Sequence, residues 1–328
     1  MSIKHVNPDE EAAPQTPEEF LQEKKSSMRA RSYWAVGIGL GLVLAHIIPA
    51  VLTGHSLTII FRSILFIIGF LALIGGLWGF YEANRLTLND FVPSAEAIRF
   101  AQRSTGVNPY FSYILVACLV AVLLAQMANG IDRSVMIAGL VKPAVWEDGQ
   151  FWRLITGATL HAGILHIYFN CQALYGIGTM IEYLSNRAHL AIVFLLAIVA
   201  GALMSFFLMP HETSVGASGG IMGLIGYLAV YGYRRKQQLP PGFMRSMLLN
   251  IGFIAAFGIV AYQFVDNAAH LGGLLAGAMY GFIQIPKNLR DDPREASLLT
   301  VVLGYAALVI FIAFCALSIL LITKTINL

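Results

Sequence analysis

Residues 214–223 read SVGASGGIMG, with a single hydroxyl-bearing nucleophile candidate, Ser218, set among Gly216, Gly219, Gly220 and Gly223. The stretch opens an apolar run. Glycine is a poor helix former, about 1 kcal/mol worse than alanine per residue, and a hydroxyl without a partner is costly in an apolar medium. A chain keeps such a segment only if close packing or chemistry requires it. Which of the two applies depends on the surroundings.

Those surroundings are apolar. The chain has 328 residues, 57% hydrophobic and 12% charged, about half the charged fraction of an average soluble domain. This excludes a soluble globular protein, and no nucleic acid is expected as a partner. The first 20 residues are polar and acidic with no apolar core, so they do not read as a cleaved signal peptide. Cys118, Cys171 and Cys315 all fall in apolar runs and read as buried small hydrophobes rather than a disulfide framework.

Hydropathy predicts an all-α polytopic membrane protein with nine spans, near 33–53, 60–81, 109–129, 157–181, 189–208, 217–233, 246–264, 268–285 and 299–322. Lys24, Lys25, Arg29 and Arg31 precede the first span and predict a cytoplasmic N-terminus. The even-numbered connections agree, carrying Arg85, Arg99 and Arg103, then Arg187, then Arg234, Arg235, Lys236 and Arg245, then Lys287, Arg290 and Arg294. The expected organisation is a polar cytoplasmic tail (1–31), a two-helix hairpin (32–81) and a cytoplasmic linker (82–108). A six-helix core (109–286) follows, then a short linker with one further span (287–328). His46, Pro49 and His55 fall at or near the turn of the hairpin and carry no assigned role.

Ser218 then falls at the outer end of the sixth span. The 16 residues from Ser218 to Arg234 make about 24 Å of helix, shorter than a full crossing. The serine is therefore expected below the outer surface, at the floor of an aqueous pocket, since polar backbone at that depth needs protein or water cover. Gly219 and Gly223 form a GxxxG pair, and the eighth span answers with Gly273, Gly277 and Gly281 in NAAHLGGLLAGAMYG. Small residues let helices approach closely in lipid. Packing of these two spans predicts that His270 comes within hydrogen-bond reach of Ser218 and serves as its general base.

The fourth span supplies further polar groups, His161, His166 and Asn170. His166 and Asn170 are four apart and share a helical face. Interhelical hydrogen bonding is one reading of the pair. The other is donation to a developing oxyanion beside the Ser218 N–H. A zinc site is not expected, because the HExxH spacing is absent. Asp266, four residues before His270, either orients that histidine or caps a helix, and capping by Asp266 or Asn267 is the favoured reading.

These motifs together resemble the rhomboid intramembrane serine proteases. The match consists of Trp152-Arg153 before a span, His161, His166 and Asn170 within it, and Gly178 to Glu182 as GxxxE closing it. Gly216-Ala217-Ser218-Gly219 follows as GxSG, and Ala269-His270-Leu271-Gly272-Gly273 as AHxGG. The resemblance implies Ser218 as nucleophile, His270 as base, and an oxyanion hole of His166, Asn170 and the Ser218 N–H. It implies structural roles for Trp152, Arg153, Glu182, Gly273 and Gly277, with His161, Gly216, Gly219, Met222 and Asp266 supporting the site. Met222 stands where many members carry an aromatic residue against the histidine, which implies altered packing there. The segment 130–156 would be an interfacial loop, and 246–264 part of a lateral gate. No cofactor and no metal are implied. The expected substrates are single-span membrane proteins, cleaved in the bilayer of a bacterial plasma membrane with the site open to the outer face. A catalytically inactive relative that binds membrane clients is the rival reading, as is a transporter, which would call for inverted repeats that the sequence lacks.

Overall fold

A computed structural model describes residues 16–54, 63–92, 95, 98, 108–288 and 290–326. His55, Arg99 and Arg103, named above, lie outside the described residues, as does the second half of the 82–108 linker apart from Ala95, Ile98 and Asn108. The chain divides into two compact units, residues 1–93 and 94–328.

The first unit is an antiparallel pair, α1 (Pro17–Leu52) and α2 (Ile64–Arg85). Helix α1 starts well before the apolar run because Thr16 and Glu19 form a capping box around Pro17. Part of the expected polar tail is therefore helical. Glycines set the closeness of the pair, with Gly39 against the backbone of Gly69 and Leu73, and Gly76 against Ser32 and Val36. At the turn, His46 Nδ1 bonds the Leu42 carbonyl at 2.8 Å and its Nε2 meets Ser63 Oγ at 2.7 Å.

The second unit contains α3 (Tyr110–Asn129), the short helices α4 (Ile131–Ala138), α5 (Lys142–Glu147) and α6 (Arg153–Thr159), then α7 (Ile164–Leu184) and α8 (Arg187–Leu208). Helices α9 (Ser218–Arg234), α10 (Phe243–Val260), α11 (Asn267–Gln284) and α12 (Leu298–Ile322) complete it. The span expected at 157–181 is two helices, because the chain breaks over Leu160–Gly163 between α6 and α7. A two-residue strand pair was also not anticipated: Leu140–Val141 (β1) runs antiparallel to Thr213–Ser214 (β2), with Leu140 opposite Ser214. It ties the 130–156 segment to the loop before Ser218.

Six helices among the described residues are long and apolar enough to cross a membrane: α1, α2, α3, α8, α10 and α12. The protein is thus an all-α polytopic membrane protein. The other three long helices are α7, α9 and α11, which carry His166, Asn170, Ser218 and His270. Polar residues, glycines and, for α9, a length of 17 residues set them apart from ordinary spans.

Helix α9 is the centre of the unit, buried along almost its whole length against α8, α11, α7 and α10. The α9–α11 contact is backbone on backbone. A Cβ on Gly273 would strike the Gly219 carbonyl oxygen, and one on Gly277 the Gly223 carbonyl oxygen. Helix α8 closes on the other side, where a Cβ on Gly201 would lie 2.6 Å from the Ala269 oxygen. At the opposite end, Glu182 on α7 accepts from Ser112 N (2.8 Å), Ser112 Oγ (2.7 Å) and Phe111 N (3.3 Å), satisfying orphan donors at the start of α3. Helix α12 is integral to this unit. Gly304 lies on the backbone of Ala188, Phe311 packs edge-on to Phe194, and Ser318 bonds Thr159 at 2.8 Å. Helix α10 runs from 243 rather than 246 and buries only Met247 and Gly258.

Gly273→Ala and Gly277→Ala should each cost about 1–3 kcal/mol or more, because the new methyl meets unyielding backbone. Gly252→Ala, where nothing lies within 4 Å, should leave stability unchanged or raise it by up to about 1 kcal/mol. Equilibrium unfolding in mixed micelles distinguishes the two cases.

Candidate active site

Ser218 is the first residue of α9, and His270 lies in the first turn of α11. The glycine register fixes their relation: Gly219 faces Ala269, at 3.4 Å from the Ala269 oxygen to a built Cβ. Their neighbours on each side, Ser218 and His270, therefore occupy the same end of the paired helices. Both are half-buried. No hydrogen bond joins them among the described residues, and such bonds are often long before substrate binds. His166 and Asp266 both lie within Coulombic range of the His270 ring.

His166 and Asn170 converge on the serine loop from α7. A Cβ at Gly216 would stand 2.8 Å from His166 Nε2 and 3.6 Å from Asn170 Nδ2. Gly216 itself has φ +120°, a conformation that L side chains rarely adopt, so the loop uses glycine for both reasons. Its N–H donates to the Gly157 carbonyl at 3.0 Å, which binds the loop to α6. The Ala162 N–H approaches His166 Nδ1 at 3.4 Å. An imidazole that accepts at Nδ1 carries its proton on Nε2 in the neutral form, so that nitrogen is a donor aimed at the loop. Asn170 Nδ2 is buried with no partner, and an unsatisfied buried donor costs about 1–3 kcal/mol. Both side chains thus face the segment that ends in Ser218, and Asn170 Nδ2 does so without a partner.

His161 is fully buried, and neither ring nitrogen has a hydrogen-bond partner. Its ring stands edge-on to His166 with centroids 5.1 Å apart. The backbone at this break is held by a side chain that sequence reading missed. Gln126 on α3 donates Nε2 to the His161 carbonyl and accepts the His161 N–H at Oε1, both at 3.0 Å. A glutamine in an apolar run was the available signal.

Asp266 caps α11 by accepting the Ala269 N–H at Oδ1, 2.8 Å. Its Oδ2 accepts from Ser214 Oγ at 2.5 Å and also from Ser205 Oγ on α8. Asn267 instead donates to the Gly258 carbonyl at 2.9 Å. Arg153 organises the 130–156 segment, donating Nη1 to the carbonyls of Gly139 (2.8 Å) and Met136 (3.2 Å) and Nε to Gln150 (2.6 Å). Its guanidinium lies 4.6 Å from the Trp152 ring centroid. Met222 is buried in the main apolar cluster. A cavity of about 30 Å³ lies behind the serine loop, bounded by Gly157, Ala158, Ser214, Gly216, Gly219 and Ala269, with room for about one water. Among the described residues, no group of three or more His, Cys, Asp or Glu could hold a metal ion.

Comparison with known proteins bears on the family. A family profile described as "Rhomboid domain" matches residues 148–287. Rhomboid protease GlpG of Haemophilus influenzae is 30% identical over 188 residues, which cover 56% of this chain and 93% of that protein. Rhomboid protease GluP of Bacillus subtilis is 30% identical over 176 residues, 52% of this chain and 34% of that protein. RHOMBOID-like protein 6, mitochondrial, of Arabidopsis thaliana is 33% identical over 163 residues, 47% of this chain and 50% of that protein. The chain belongs to the rhomboid family. It spans between 34% and 50% of the length of the first three curated relatives it matches.

Gln126→Leu should lower stability by about 1–3 kcal/mol, because it strands the His161 N–H and carbonyl in a buried site. Gln126→Glu restores only the acceptor, so it should recover part of the loss at most. Thermal unfolding of the reconstituted variants reads both.

Proposed function

We propose that the chain is an intramembrane serine endopeptidase. The observation that carries this reading is the gathering at one end of the paired helices of Ser218, His270, His166 and the unpaired Asn170 amide, held by glycine contacts that leave little freedom between α9 and α11. Ser218 Oγ attacks the scissile carbonyl while His270 takes its proton. The oxyanion so formed accepts from His166 Nε2–H, Asn170 Nδ2–H and the Ser218 N–H, donors preorganised where water is scarce. His270 then protonates the leaving amine, and a water molecule, deprotonated by the same imidazole, hydrolyses the acyl-enzyme.

The substrates on this reading are single-span membrane proteins cut within or beside the span. The helix ends carrying Ser218 and His270 open to the outer face of a bacterial plasma membrane, with the N-terminus cytoplasmic, as the distribution of Lys and Arg supports. Helix α10, which buries only Met247 and Gly258, is the helix least held by the rest of its unit and suits lateral entry of a substrate helix.

The test is cleavage of a model single-span substrate by the full chain reconstituted in lipid. Wild type should cut, and Ser218→Ala and His270→Ala should be inert. Asn170→Ala should lower kcat by about 10²–10³-fold with little change in KM, the loss typical of one oxyanion donor. Gly216→Ala, which drives a methyl to 2.7 Å from the His166 ring, should also impair kcat. Cleavage that survives Ser218→Ala overturns the assignment. A wild-type protein that binds a panel of single-span substrates yet cuts none would favour the client-binding reading instead.

A further inference from the structure

Three donors from separate elements meet on one carboxylate near the head of α9. Asp266 precedes α11, and its Oδ1 takes the Ala269 N–H at 2.8 Å. Its Oδ2 takes the hydroxyls of Ser214, at 2.5 Å, and of Ser205. An ionised carboxyl only accepts, and donation to such a group makes shorter and stronger hydrogen bonds than donation between neutral groups. Ser205 is fully buried and lies one turn beyond Gly201, which meets the Ala269 carbonyl, so one face of α8 supplies both contacts to α11. Ser214 belongs to β2, where the strand pair holds it opposite Leu140.

The positions of these donors along the chain matter. Ser214 lies four residues before Ser218, and Ala269 directly precedes His270. The carboxylate therefore holds both the chain that leads to the serine and the chain that leads to the histidine, and Ser205 ties the two to α8. The α9–α11 glycine contacts begin at Gly219 and continue through Gly223 and Gly226, away from this end. They set the distance between the helices and leave the serine loop to be held by other means. The Asp266 carboxylate bonds a backbone N–H and two hydroxyls, and among the described residues it makes no hydrogen bond to the His270 ring.

We propose that Asp266, Ser205 and Ser214 are positioning residues, whose shared carboxylate bridges the serine loop to the start of α11 and so sets Ser218 Oγ against the His270 ring. The proposal rests on the Ser218–His270 reading for its catalytic consequence, but not for the bridge itself. A helix cap alone asks for one acceptor, which asparagine supplies as well as aspartate. The bridge asks for a second oxygen, which the two hydroxyls share.

The experiment compares Ser214→Ala, Ser214→Thr, Ser205→Ala, Asp266→Asn and Ser214→Ala/Asp266→Asn with wild type, all full-length in lipid. Amide hydrogen exchange over residues 212–220 and 264–272 reads the bridge directly, and cleavage of the single-span substrate reads its effect on the reaction. Ser214→Ala should speed exchange in both stretches and lower kcat by about 10- to 100-fold, the cost of a small misplacement of a reacting group, with KM unchanged. Ser205→Ala should act in the same direction. Ser214→Thr keeps the hydroxyl and suits a strand, so it should restore most of both. Asp266→Asn keeps the cap but should still lower kcat. The double variant should be no worse than the more damaged single variant, because the two act on one contact. Exchange that stays unchanged in either stretch of Ser214→Ala overturns the bridge. Wild-type kcat in Asp266→Asn reduces Asp266 to a cap and overturns the proposal as well. Additive damage in the double variant does the same, and remains measurable if the single variants are merely less stable. If exchange responds as expected but wild type cuts nothing, the bridge stands and the protease reading fails.

Discussion

Everything in the site hangs on a contact between two backbones. Helices α9 and α11 meet where Gly273 faces the Gly219 carbonyl and Gly277 the Gly223 carbonyl, with no room for a methyl group at either. Apolar burial drives little helix association inside lipid, so packing and short-range polar contacts decide it. Glycine supplies both: it shortens the interhelical distance and brings Cα–H groups onto carbonyl oxygens. The cost is weak intrinsic helicity, which α9 offsets by being enclosed on nearly every side. A serine at the head of such a helix has almost no freedom of position, and neither has a histidine one turn into its partner.

The polar groups follow a second constraint, that buried donors need acceptors. Glu182 at the start of α3, Asp266 at the start of α11 and Gln126 at the break before α7 each satisfy backbone groups that lipid could not. The exceptions are then informative. Among the described residues Lys142 Nζ, both His161 ring nitrogens, Asn170 Nδ2, Thr179 Oγ1 and Arg235 Nε and Nη1 have no partner, and of these Asn170 Nδ2 lies beside the Gly216 loop.

Much of this was legible in the sequence, for a definite reason. The glycine spacing, the serine, the histidine and the His166–Asn170 pair are local patterns, and helical periodicity converts local spacing into a shared face. Contacts between distant segments were not legible. Gln126 reads the backbone 35 residues away, Ser205 reaches Asp266 across 61 residues, and Ser214 across 52. Nothing in the residue types announces such partners. The break at Leu160–Gly163 escaped notice because hydropathy is continuous through it, and the start of α1 at Pro17 because hydropathy is silent about a polar helix with a good cap. The last span looked appended, yet Gly304, Phe311 and Ser318 make α12 part of the core unit.

The same comparison explains why hydropathy separates the long helices into two groups. Helices α1, α2, α3, α8, α10 and α12 are long and apolar enough to cross a membrane, although α8 turns most of its surface inward against α9, α11 and α12. Helices α7 and α11 each pack on α9 and carry polar groups, while their other faces leave apolar side chains such as Phe169, Leu275 and Phe282 exposed. Water can reach a polar cleft only if protein, not lipid, lines it. The deficit of apolar character in those three helices is itself a mark of where polar groups are held.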